Sequence, residues 1–388
     1  MKSKKIFSLL AIAAVCSLLL TTGCGYLFEE TAQPEIALKE VPKVEVQRPK
    51  PEEQKPEVVV EQVKPKVQPQ EEKPKVVVEK VKPKEKPKEQ KPTVDLALKF
   101  TPQESTTYKI ITEARRTVKF EGAFPKEAAF QGGTNQTRIE INFTQQIQTV
   151  DDKGNAVAKI TIEALKYSSI IKDNPVLDFN SSREKDQNSP LAKLIGQSYT
   201  IEISPAGQVT KIIDTKQAQA AVQGVTSSHK AALALLKSDA INERHGTSKL
   251  PHADKKQMRP DDNWSILKTF FFGMMGPKSY EKIYTLKEIK DADGRQIAVV
   301  EMNAIPSSEM AEQLHKEQAM GDISKMFDNK ETYTGELKLD LTAGKVEKHL
   351  EKLLSEWVMV DPSAPRDNKE PATLKMIATR FYSLEKID

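Results

Sequence analysis

From about residue 139 the chain alternates apolar and polar positions with a period of two. In "RIEINFTQQIQTV", Ile139, Ile141, Phe143 and Ile147 share one face, and Glu140, Asn142, Thr144 and Gln148 share the other. After the turn "DDKGN", the run "AVAKITIEAL" gathers Ala156, Ala158, Ile160, Ile162 and Ala164 opposite Lys159, Thr161 and Glu163. Two such runs across a Gly-containing turn predict a β-hairpin with one buried face. "QSYTIEISPAGQVTKI" continues the pattern, with Tyr199, Ile201 and Ile203 on one face and a turn at Pro205 to Gly207. The second half repeats the plan. "KDADGRQIAVVEMNAI" lays over the first hairpin when Gly294 is placed on Gly154, and "TYTGELKLDLTAGKV" puts Tyr333, Leu337, Leu339 and Leu341 on one face.

Between these halves the pattern changes. "TKQAQAAVQG" and "SSHKAALALLKSDAINERHG" are rich in Ala and Leu, with Gly246 as a C-terminal stop, and read as helices. In "DDNWSILKTFFFGMMGP", Asp262 or Asn263 caps a short expected helix carrying Trp264, Leu267, Phe270, Phe271, Met274 and Met275, ended by Gly276-Pro277. "VEKHLEKLLSEW" has helical spacing at Val346, Leu350, Leu353, Leu354 and Trp357, yet it lies between a Gly344 turn and the alternating "TLKMIATRFYSL". A strand is the preferred reading there. The expectation for residues 94–388 is an α+β domain: a mainly antiparallel, strongly curved β-sheet with a helical insertion. Halves at 94–215 and 278–388, an internal duplication in outline, flank the helical region 216–277. This architecture is similar to the half-barrels of LolA/LolB-type periplasmic lipoprotein carriers, a resemblance of plan with no residue motif carried over.

Residues 34–93 lack this patterning. They hold eleven of the chain's 23 prolines, no glycine and no aromatic residue, and "KPEVVVEQVKPK" at 55–66 returns as "KPKVVVEKVKPK". Proline restricts itself and its preceding residue to extended backbone, so a disordered, extended spacer is expected. At about 3.1 Å per residue it reaches on the order of 180 Å. Flanking Pro, Lys and Glu keep the valine triplets from pairing into sheet, although strand addition to a partner's sheet edge also uses such segments. In composition the segment resembles the Pro/Lys/Glu spacer of TonB-type envelope proteins, which implies reach alone.

The N-terminus explains what the spacer is attached to. Lys2, Lys4 and Lys5 precede an apolar run from Ile6 to Leu20 and a stretch of small residues, the order of a secretory signal. Leu20-Thr21-Thr22-Gly23-Cys24 resembles a bacterial lipobox, with Thr21 where leucine is usual. The resemblance implies removal of residues 1–23, lipid attachment at Cys24, an acylated N-terminus over 24–33, and a membrane partner through the acyl anchor. Gly25 after the cysteine favours a periplasm-facing, outer-membrane lipoprotein. Cleavage removes Cys16, leaving no thiol for a disulfide.

Charge and motifs exclude more than they assign. The net charge of +4 is carried by the leader and the spacer, which leaves the domain near neutral. Nucleic-acid binding needs a basic patch on the folded part, so no nucleic-acid partner is expected. No nucleophile elbow, H-E-x-x-H or phosphate loop occurs, and no cofactor or metal is expected. His245, His252 and Asp254 are the nearest approach to a metal set and read as a solvated loop. Glu140 and Glu163 read as solvated or cross-strand paired carboxylates. The expected function is a lipid-anchored envelope protein displaying a domain that binds a hydrophobic ligand or an envelope protein. The surface in question is Trp264, Leu267, Phe270, Phe271, Met274 and Met275, which core filling also explains. A tethered envelope-polymer hydrolase with two facing carboxylates is the alternative.

Overall fold

The computed structural model describes residues 93–122, 132–246, 250–251, 257–307, 327–361 and 371–387. The leader, Cys24 and the repeated spacer lie outside the described residues.

The alternating runs become twelve strands of one antiparallel sheet. In chain order they are β1 (Ser105–Glu121), β2 (Gly133–Val150), β3 (Ala156–Ile171), β4 (Asn174–Asn180), β5 (Ser198–Ile203) and β6 (Val209–Asp214). Three helices follow, α1 (Lys216–Ala221), α2 (Ser227–Ala234) and α3 (Ser238–His245). Then come β7 (Asn263–Phe271), β8 (Pro277–Ala292), β9 (Arg295–Ser307), β10 (Asp328–Asp340), β11 (Lys345–Val360) and β12 (Thr373–Lys386). The spatial order is β6-β5-β3-β2-β1-β12-β11-β10-β9-β8-β7, with β4 folded back on β3. The first and last strands therefore pair in the interior of the sheet, from Tyr108 opposite Lys386 to Glu121 opposite Thr373. The sheet is not closed: β6 and β7, consecutive among the strands, form its two edges. Among the described residues no helix is long and apolar enough to cross a membrane.

Face assignment follows the alternation, with one slip. Ile141, Phe143, Ile147, Ala156, Ala158, Ile160 and Ile162 are all buried. A bulge between Asn142 and Phe143 inserts one extra residue in β3. Past it the phase flips, so Leu165 is buried in place of the expected Ala164. Tyr199, Ile201, Ile203, Tyr333, Leu337, Leu339 and Leu341 are buried as the pattern requires.

The helical region is shorter than expected. The last described α-helix of this region ends at His245, and "DDNWSILKTFF" is not helical but forms β7 and its approach. Aromatic and β-branched residues favour strand, and β8 supplies an antiparallel partner, from Asn263 opposite Thr285 to Phe271 opposite Pro277. Gly273 and Gly276 adopt φ of +61° and +75° in the turn between them, a region that glycine enters without a Cβ clash. They make a hairpin where a helix stop was expected. Asp262 accepts a hydrogen bond from the Arg259 backbone N–H at 2.8 Å, closing the turn that leads into β7. "VEKHLEKLLSEW" lies in strand β11.

Side-chain contacts show how the sheet bends. The Tyr280 hydroxyl on β8 lies 3.3 Å from Ser355 Oγ on β11. Those strands are three ladder steps apart, about 14 Å in a flat sheet, farther than the two side chains reach. The Arg380 guanidinium on β12 sits 4.6 Å from the centre of the Phe270 ring on β7, five steps away and about 24 Å apart in a flat sheet. Strands β7 to β12 thus curl around a common inner face. On the other half, α1 to α3 cover the corresponding face, burying Ala218, Val222, Ala232, Leu236 and Ile241.

Candidate functional site

The curl of β7 to β12 brings charged residues inside. On β11 the inward positions are His349, Glu351, Leu353, Ser355 and Trp357, all buried, whereas Leu354 on the opposite face is 37% exposed. The strand therefore turns a carboxylate and an imidazole inward and a leucine outward. Such an inversion of the usual preference marks β11 as the place where chemistry overrides burial.

Glu351 is the centre of this cluster. Its Oε1 is 2.5 Å from Lys282 Nζ on β8 and 3.0 Å from His349 Nε2. The Tyr333 hydroxyl donates to Oε2 at 2.5 Å and the Tyr284 hydroxyl to Oε1 at 3.3 Å. Burial works to raise the carboxyl, but Lys282 and His349 outweigh it and hold Glu351 well below the usual carboxylate range. Burial first, then the neighbouring Glu351 charge, pushes the Tyr333 and Tyr284 phenols far above theirs. The cluster is accordingly an ionised carboxylate held by neutral phenols and one ammonium. Gly335 makes room for it: a Cβ there would lie 3.0 Å from Met302 Cε and 3.3 Å from Glu351 Cγ.

A second ion pair, Lys278 with Glu331, lies farther along the same strands, Lys278 being on β8 with Lys282, and Ser355 Oγ of β11 is 3.4 Å from the same carboxylate. Each inner carboxylate thus has its own lysine. Among the described residues every carboxyl displaced from its ordinary value is displaced downward.

Aromatic rings line the rest of the inner face. Trp264 stacks on its cross-strand partner Tyr284, with centroids 5.3 Å apart and planes 9° apart. Phe270 packs against Phe272, Tyr280 and Tyr333, and Phe272 against Trp357. Three polar groups on this face are left over. Trp357 Nε1 and His349 Nδ1 are buried without a hydrogen-bond partner. Arg116, on the inward side of β1, has no ion-pair partner among the described residues. Burial lowers its pKa, and its Nη1 would lie 3.1 Å from a Cβ on Gly273.

The expected surface divides in two. Trp264, Phe270 and Met275 are buried on the inner face, whereas Leu267 and Phe271 lie on the outer face at 40% and 38% exposure. The Met274 side chain lies outside the described residues. The division follows directly from strand geometry, since residues that share a helix face at i and i+3 point to opposite sides of a strand. The inward charges Lys282 and Glu351 were missed because they interrupt apolar runs. The available signal was the strict alternation of Tyr280, Tyr284 and Leu286 with Lys282 on the same parity.

The polar residues named from sequence fall elsewhere. Glu140 bridges Lys109 and Lys166 at 3.1 and 3.0 Å, a cross-strand arrangement, and Glu163 is exposed at the β3 bulge. His252 and Asp254 lie outside the described residues. His245 is in the last turn of α3 instead of a solvated loop, 2.7 Å from the Tyr199 hydroxyl and edge-on to Phe143. Among the described residues no group of three or more His, Cys, Asp or Glu could hold a metal ion.

No family model matches the chain, and no curated protein matches it. Among solved structures it is similar to one of lipid–protein interactions in lipovitellin, at 11% identity and a TM-score of 0.38. That likeness covers 75% of this chain and 26% of the other, so the chain spans about a quarter of that molecule. A score so low says nothing about what this chain binds.

Proposed function

We propose that this chain is a lipid-anchored protein of the cell envelope whose β-rich domain binds an amphiphile with a negatively charged end. Cys24 holds the membrane, the Pro/Lys/Glu spacer sets the distance, and the strongly curved β7 to β12 face is the receptor. In this reading the curl works as a half-barrel of the LolA/LolB kind, and Gly25 directs the anchor to the outer membrane. The observation that carries the ligand class is the unspent polarity of an aromatic face: among the described residues, Arg116 has no ion-pair partner and the buried Trp357 Nε1–H donor has no hydrogen-bond acceptor. Buried donors left unsatisfied are costly, and an anionic amphiphile would satisfy them while its apolar part meets Phe270, Phe272 and Met275.

The test is native mass spectrometry of the Cys24→Ala chain, secreted to a bacterial periplasm and purified without detergent. A bound acidic lipid, lost in Arg116→Met, is the expected result. A mass equal to the bare chain after incubation with periplasmic lipid extract would refute the ligand. The exposed pair Leu267 and Phe271 on edge strand β7 favours a second reading, a protein partner paired along that edge. Cross-links from position 267 to another envelope protein, with no bound lipid, would select it.

A further inference from the structure

The last turn of α3 buries a charge that no described residue neutralises. Arg244 is 6% exposed. Its Nη1 donates to the Tyr199 hydroxyl at 2.8 Å and its Nη2 to the Leu235 carbonyl at 2.9 Å, both neutral acceptors. Among the described residues no carboxylate pairs with it. The adjacent Glu243 turns instead toward Arg380, at 4.0 Å. A buried guanidinium without an anion costs several kcal/mol even after relaxation, so this arrangement calls for a counter-ion.

The described groups around it do not supply one. The Tyr199 oxygen accepts from Arg244 and lies 2.7 Å from His245 Nε2. Burial first, then the Arg244 charge, holds His245 well below its ordinary pKa, and burial raises the Tyr199 phenol. Neighbouring Lys345 is neutralised by Glu104 at 2.8 Å. One positive charge is left over.

It faces a cavity. Its lining includes Arg244, His245, Gln145 and Lys345 together with apolar residues such as Phe143 and Val346. The volume is about 40 Å³. A water needs roughly 10–15 Å³ on this measure, so the space admits about three heavy groups. That is the size of a carboxylate with a carbon attached and far below that of an acyl chain. A single charge without a described partner matches a monoanion, and Arg244 keeps three guanidinium N–H groups not used by Tyr199 and Leu235.

We propose that the cavity beside Arg244, walled in part by Lys345 and Val346 of β11 and Leu384 of β12, binds the carboxylate of a small organic acid, at a site that shares no lining residue with the Glu351 cluster. The probe is ¹³C-labelled acetate, titrated into the full mature chain at constant ionic strength and followed by NMR line broadening. Saturable binding to the wild type is expected, with at least a tenfold loss in Arg244→Met. Arg138→Met, which removes an arginine paired with Glu113 on the outer face, should bind acetate as the wild type does. Octanoate should bind no tighter than acetate. If Arg244→Met does not fold, Val346→Phe, which fills the cavity and keeps the charge, should abolish binding. Absence of saturable acetate binding to the wild type would overturn the proposal. Equal loss in Arg138→Met, or octanoate binding tenfold tighter than acetate, would do the same.

Discussion

Replacing Glu351 by glutamine takes away the only carboxylate that pairs with Lys282 among the described residues, and the Lys282 side chain is 7% exposed. What remains around the ammonium is the π faces of Tyr284 and Tyr333, at 5.4 and 5.6 Å. Breaking a buried pair by removing one partner costs about 3–5 kcal/mol, because the other charge stays buried. For a domain of this size each kcal/mol moves Tm by about 2–4 °C, so a fall of roughly 6–20 °C is expected. Lys282→Met should cost less, since Glu351 keeps the Tyr333 and Tyr284 donors and His349 beside it. The double variant Lys282→Met, Glu351→Gln removes both charges together. Its cost should fall short of the sum of the two singles by about 2 kcal/mol or more, within the range found for directly coupled residues. The assay is urea unfolding followed by tryptophan fluorescence at neutral pH. Both tryptophans, Trp264 and Trp357, lie on the same inner face. If the single costs add in the double variant, with coupling below about 0.5 kcal/mol, the pair is not energetically coupled and the reading of β11 as a charge-bearing inner strand fails.

Three further outcomes follow from the same geometry, and a fourth from the sequence around Cys24. Glu351 faces Lys282, His349, Tyr333 and Tyr284, and its folded pKa lies below the unfolded value of about 4.3. The stability it contributes is therefore present above that value and lost as pH falls toward the folded pKa. Urea midpoints between pH 6 and pH 3 should drop more steeply in the wild type than in Glu351→Gln. Gly335→Ala places a Cβ 2.6 Å from the Leu350 carbonyl oxygen and should cost about 1–3 kcal/mol by overpacking, as read from thermal melts. Phe270→Ala should cost about 3–5 kcal/mol, whereas Phe271→Ser on the exposed face should stay within about 0.5 kcal/mol. Equal costs at these neighbouring positions would contradict the strand assignment. Cys24→Ala should abolish globomycin-sensitive processing and release the chain from membranes, and unchanged membrane retention would defeat the anchor.

The alternation of apolar and polar residues was enough to place the hairpin of β2 and β3, the strand β5 and the strand β10, and to name which side chains they bury. Period-two patterning is a local property, written into consecutive residues, and needs no knowledge of distant partners. Three features were beyond it. The run from Trp264 to Met275 is apolar almost throughout, so its period is indistinct, and only pairing with β8 made β7 a strand and sent Leu267 and Phe271 outward. The bulge in β3 moved the buried position from Ala164 to Leu165, a phase change visible only against the β2 register. The inward placement of Lys282, His349 and Glu351, and the uncompensated Arg244 over its cavity, depend on contacts between residues 45 to 69 positions apart. A charge can be buried only where a partner or a ligand meets it, and which groups meet across a curled sheet is decided by tertiary structure.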